Sequence, residues 1–76
     1  MEHRKWRWVS RDDGEDTVDV WFGDQKPQPY EEDGVVIFEA QDNFLGFSFP
    51  AFVAITGIDI KPGQCIKIEF TAKVLE

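Results

Sequence analysis

Near the C-terminus, Ile66, Ile68, Phe70, Ala72 and Val74 alternate with Lys67, Glu69, Thr71 and Lys73. A period of two, with one apolar and one wet face, predicts a half-buried strand. Upstream, Phe52 to Ile60 is rich in β-branched residues, and Lys61-Pro62-Gly63-Gln64 sets Pro and Gly at the central positions of a type II turn. These two segments are expected to form a hairpin. Further strands are read at Arg4 to Ser10, Thr17 to Phe22, Val35 to Ala40 and Phe44 to Phe49, separated by Asp-Asp-Gly, Lys26-Pro27-Gln28-Pro29, Asp33-Gly34 and Asp42-Asn43. No stretch sustains a 3.6-residue period, so no helix is expected.

About six short strands with short connections predict an all-β fold, a small antiparallel β-barrel or sandwich, with residues 1–76 as a single domain. The one long connection, Gly23 to Gly34, is rich in proline and acid and reads as an exposed contact loop. Gly46 and Gly57 interrupt strand patterns and read as bulges or bends.

The register of the first hairpin decides what the basic N-terminus does. A two-residue Asp13-Gly14 turn would put Arg7 opposite Val20 and Lys5 opposite Phe22, mixing charge into an apolar face. A three-residue loop, Asp12-Asp13-Gly14, instead sets Trp8 against Val18 and Trp6 against Val20. Its other face then carries Arg7 against Asp19 and Lys5 against Trp21. This register makes Trp6 and Trp8 core residues and answers the basic strand internally.

Composition narrows the function. Fifteen acids against 8 bases leave a net charge of −7 on 76 residues, which argues against direct binding to nucleic acid or to anionic lipid. One His, His3, and one Cys, Cys65, leave little for acid/base or thiol chemistry, so an enzyme is not expected. Neither an internal disulfide nor a Cys/His zinc site can be assembled from them. Asp12 to Asp16 is oxygen-rich but lacks the ligand spacing of a calcium loop, so no metal and no other cofactor is expected. The uncharged stretch Asn43 to Ile58 falls short of the roughly 20 residues that span a bilayer. The charged N-terminus has no apolar leader run, and the chain starts with Met1, so a complete cytoplasmic protein is expected.

Two features carry the functional expectation. Asp12, Asp13, Glu15, Asp16, Asp19, Asp24, Glu31, Glu32 and Asp33 are offset by a single base, Lys26, so the negative field concentrates on two loops. Carboxylates two apart on an extended chain lie roughly 6.6–6.8 Å apart, about twice the phosphate spacing along one nucleic-acid strand. The expected function is a non-enzymatic binding module that occupies a basic surface of a partner protein, as an inhibitor or nucleic-acid mimic. Asp12, Asp13, Glu15, Asp16, Asp24, Glu31, Glu32 and Asp33 make the contact in this reading, with Trp21 and Tyr30 as aromatic anchors. The second feature is the aromatic middle, Phe44, Phe47, Phe49 and Phe52, beside Val35 to Phe38, which is apolar on both faces. It supports an alternative, a homo-oligomer that binds a small ligand or serves an assembly through that segment. A third reading, a nucleic-acid groove built from Arg4, Lys5, Arg7 and Arg11, requires a different first register and exposed tryptophans.

Overall fold

The alternating segment near the C-terminus forms the strand its pattern predicts: Ile68 is buried, Ile66 and Phe70 are half-buried, and Lys67 and Glu69 are exposed. A computed structural model describes residues 2–76, and of residues 2–4 and 72 the backbone alone; Met1 and the side chains of His3 and Arg4 lie outside the described residues. The elements are β1 (Glu2–Arg11), β2 (Thr17–Trp21), β3 (Gln28–Glu32), β4 (Val35–Glu39), β5 (Phe44–Ser48), α1 (Phe49–Thr56) and β6 (Gln64–Lys73). They form two antiparallel sheets, one of order β5-β2-β1-β6 and one a β3-β4 pair. The chain is therefore mostly β. The larger sheet ends on β5 at one side and β6 at the other, so it does not close into a barrel.

The first correction concerns Phe49–Thr56, which is a helix and not part of a strand. Ser48 caps it by accepting the Ala51 N–H at 3.3 Å, and Pro50 occupies the first turn, where no intrahelical donor is lost. Gly57, at φ 72°, ends it and donates its N–H to the Val53 carbonyl at 2.7 Å. Phe49, Phe52, Val53 and Thr56 recur at helical spacing and turn inward, while Ala51, Ala54 and Ile55 are exposed. A helix this short is held by packing rather than propensity. Its β-branched residues carried the strand expectation, and burial of Phe52 overrides them.

The Lys61 to Gln64 turn forms as expected, with the Gln64 N–H bonded to the Lys61 carbonyl at 3.1 Å and Gly63 at φ 78°. It joins the extended segment after α1 to β6. The β6 partner is β1, not Phe52 to Ile60, and the ladder runs from Glu2↔Lys73 to Arg11↔Gln64.

The second correction is the register of β1 on β2, which pairs Val9↔Val20 and Ser10↔Asp19. This offset is odd relative to the expected one, so it turns the described β1 side chains, Lys5 to Arg11, to the other face. Val9 now joins Ile66, Val18 and Val20 beneath α1, and the core comprises Val9, Val18, Val20, Phe52, Ile60 and Ile68. Trp6 and Trp8 lie on the opposite face, half-buried, with Lys67 Nζ 4.1 Å and 5.5 Å from their ring centroids. The physical reason is β6: its apolar phase matches Val9 directly opposite Ile66, and the longer loop 12–16 is held elsewhere by its own hydrogen bonds.

Candidate functional site

The segment read as one exposed loop contains a strand. Asp33 at φ 53° and Gly34 at φ 79° supply the two left-handed residues of a type I′ turn, the geometry that an Asp-Gly pair favours between two strands. The resulting β3-β4 hairpin sets Glu32 opposite Val35, Glu31 opposite Val36 and Tyr30 opposite Ile37. Strand β3 is exposed along its whole length. An isolated two-stranded hairpin is marginal in water, so its anchorage matters.

That anchorage is the first acidic loop. The Asp13 N–H donates to the Val36 carbonyl at 2.8 Å, and the Phe38 N–H donates to Asp12 Oδ1 at 3.0 Å. The two acid-rich segments, far apart in sequence, are thereby clamped side by side. Asp12, Asp13, Glu15 and Asp16 stand on one side of the seam, and Glu31, Glu32 and Glu39 on the hairpin.

Burial and neighbouring acids shift three groups here, and in Tyr30 alone of the three do the neighbouring charges come from both segments. Burial raises the Asp12 carboxyl above its ordinary value, the Phe38 N–H works against that rise, and the charge of Glu15 adds to it. Asp19 is pushed up to about 6, by burial first and then by Asp12 and Glu15. The Tyr30 phenol is raised by partial burial and by the charges of Glu39, Glu32 and Asp12. Tyr30 thus senses carboxylates from both segments. It is 41% exposed and borders a shallow hollow of about 480 Å³ shared with Gln25, Gln28, Pro29, Glu39 and Gln41.

Not every expected residue belongs to this surface. Trp21 is only 3% exposed; its indole N–H donates to Ser10 Oγ at 2.9 Å and its ring lies 4.7 Å from that of Phe44. It is a packed residue and offers no anchor. Asp24 lies in the segment over Trp8, where its carbonyl accepts the indole N–H at 3.1 Å. Asp33 occupies the tip of the hairpin. Glu39 was not singled out from the sequence, although the Asp33-Gly34 turn, read as a hairpin, places it opposite Gln28 beside Tyr30.

The aromatic middle is divided between faces. Phe44 is 51% exposed beside Trp21, whereas Phe52 is buried in the core and Phe47 and Phe49 are half-buried against it. The Arg11 guanidinium stacks 4.0 Å from the Phe49 ring centroid and donates to the Ile60 carbonyl at 2.9 Å. Arg11 also approaches Asp16 at 3.8 Å.

The basic N-terminal strand does not assemble a groove from its described cations. Arg7 donates to the Trp6 carbonyl at 2.9 Å, Arg11 is engaged at the core edge, and Lys5 pairs across from Phe70, on the side away from the tryptophans. Among the described residues, no group of three or more His, Cys, Asp or Glu side chains is arranged to hold a metal ion. Among the same residues, no helix is long and apolar enough to cross a membrane. The Cys65 thiol is half-buried, and burial raises its pKa while Lys26 opposes the rise. No known protein family, curated protein or solved structure matches this chain.

Proposed function

We propose that the chain is a non-enzymatic binding module whose acidic surface occupies a basic surface of another macromolecule, of the kind that a nucleic-acid-binding protein presents. The observation that carries this reading is the clamp between the two acidic segments, Asp13 N–H to Val36 carbonyl and Phe38 N–H to Asp12 Oδ1. Folding spends hydrogen bonds to bring like charges together, and Tyr30, raised first by burial and then by Glu39 and Glu32 of the hairpin and Asp12 of the loop, feels the charge of both segments. Dispersing the same acids would serve solubility without that cost. A basic partner relieves the repulsion on binding, and Tyr30 provides an exposed aromatic contact among the carboxylates. The field of such a surface steers association, so the on-rate falls as salt rises.

The test uses an arginine-rich peptide of about 20 residues as probe. Neutralising the hairpin with Glu31→Gln, Glu32→Gln and Glu39→Gln is expected to weaken binding by on the order of tenfold or more. Removing as many charges elsewhere, with Asp59→Asn, Glu69→Gln and Glu76→Gln, is expected to weaken it far less. Tyr30→Ala is expected to cost a further few-fold through lost contact area. Equal losses from the two neutralised sets would reduce the effect to net charge and overturn the proposal.

A further inference from the structure

We infer that β5 is a self-association edge, pairing antiparallel with β5 of a second copy about a two-fold axis at Gly46. This inference is independent of the acidic surface.

The backbone phase of β5 is fixed by its neighbours. The Phe22 N–H bonds to the Asn43 carbonyl and the Phe49 N–H to the Asp16 carbonyl, each at 2.9 Å. Asn43, Leu45, Phe47 and Phe49 therefore direct their main-chain groups toward β2, and Phe44, Gly46 and Ser48 direct theirs away from it. Among the described residues, no strand lies on that side of β5. The strand is nearly all exposed, with Phe44 and Leu45 each at 51%.

Natural sheets protect such edges with Lys, Pro, bulges or charge. Edge strand β6 carries Lys67, Glu69 and Lys73, and β3 carries Pro29, Glu31 and Glu32. Strand β5, Phe-Leu-Gly-Phe-Ser, carries none of these. The occupant follows from charge. Two copies at −7 repel over most of their surfaces, but Asn43 to Ile58, which builds β5 and α1, has no ionisable side chain. Here alone along the chain can like copies meet over so long a neutral segment.

The pairing is self-complementary. Gly46 of one copy exchanges hydrogen bonds with Gly46 of the other, and each Ser48 N–H meets the opposing Phe44 carbonyl. Leu45 of each copy then faces Phe47 of the other, at the rim of an apolar hollow of about 120 Å³ that Ile55, 76% exposed, also lines. The surface left open agrees with this: 5418 Å² is exposed, against about 4,800 Å² for a compact monomer of this mass.

Light scattering over about 10 µM to about 1 mM reads the outcome. The expected result is twice the chain mass at the upper concentrations, with the dimer favoured by added salt. Leu45→Lys and Gly46→Pro should both return the monomer mass, because one places charge on the edge and the other removes an outward N–H that β2 does not use. Val74→Lys and Leu75→Lys, at apolar positions more exposed than Leu45 but outside β5, should leave the dimer intact. Circular dichroism checks that each variant retains its fold. A monomer throughout the range overturns the inference, and so does a dimer that survives both β5 substitutions.

Discussion

Asp19 shows how a single side chain reports the placement of its neighbours. Its carboxyl is pushed up to about 6 because burial is compounded by Asp12 and Glu15. Between the ordinary value of 3.8 and about 6, the folded chain holds a proton that the unfolded chain releases. Asp19 therefore lowers stability progressively as pH rises through that window, and its full penalty is present above it. Asp19→Asn should stabilise the protein at pH 7 by about 1 kcal/mol, a value reduced from the full shift because the group is partly solvated. The gain should vanish near pH 3.5. Denaturant melts of both proteins at the two pH values check this, and a gain independent of pH would contradict the assignment.

At the scale of elements, α1 is held by the packing of Phe49 and Phe52 and by its two capped ends. Gly57 at φ 72° occupies a conformation that an alanine Cβ penalises. Gly57→Ala is expected to cost about 1 kcal/mol, and Gly57→Asn less, because asparagine tolerates the left-handed region. The ranking Gly, Asn, Ala in urea midpoints is the check; equal midpoints for Ala and Gly would mean that the helix end is not held as described. The β3-β4 hairpin has a different dependence. Its turn is local, but its attachment rests on Asp12 and Asp13, which belong to another element.

For the whole molecule, charge and shape act together. The chain extends 49 × 25 × 15 Å, so charges at its far ends lie beyond a screening length of about 8–10 Å and repulsion acts mainly among neighbouring acids, such as those of residues 12–16 and the β3-β4 hairpin clamped beside them. Added salt should raise the melting temperature by screening self-repulsion, while slowing association with the basic peptide. These opposite signs separate the two effects. A melting temperature that falls or stays level as salt rises toward about 0.5 M, roughly a 4 Å screening length, would show that repulsion does not limit stability.

Local rules settled much of this protein in advance. The alternation through β6, the Lys61 to Gln64 turn and the strand signals of β1, β2, β4 and β5 each depend on neighbouring residues and were legible along the chain. The cap residues Ser48, Pro50 and Gly57 were also present in the sequence, but over eight residues they competed with β-branched side chains that favour strands. Tertiary structure decided between them by burying Phe52. It also decided the face of β1, because Val9 satisfies β2 and β6 together, while the local signals of turn length and cross-strand charge pointed to the other register. The acidic character of the chain was written in its composition. Its concentration into one surface was not, because the bonds joining Asp12 and Asp13 to β4 span residues with no local relation. Sequence sets what each residue prefers among its neighbours, and packing alone ranks contacts between distant ones.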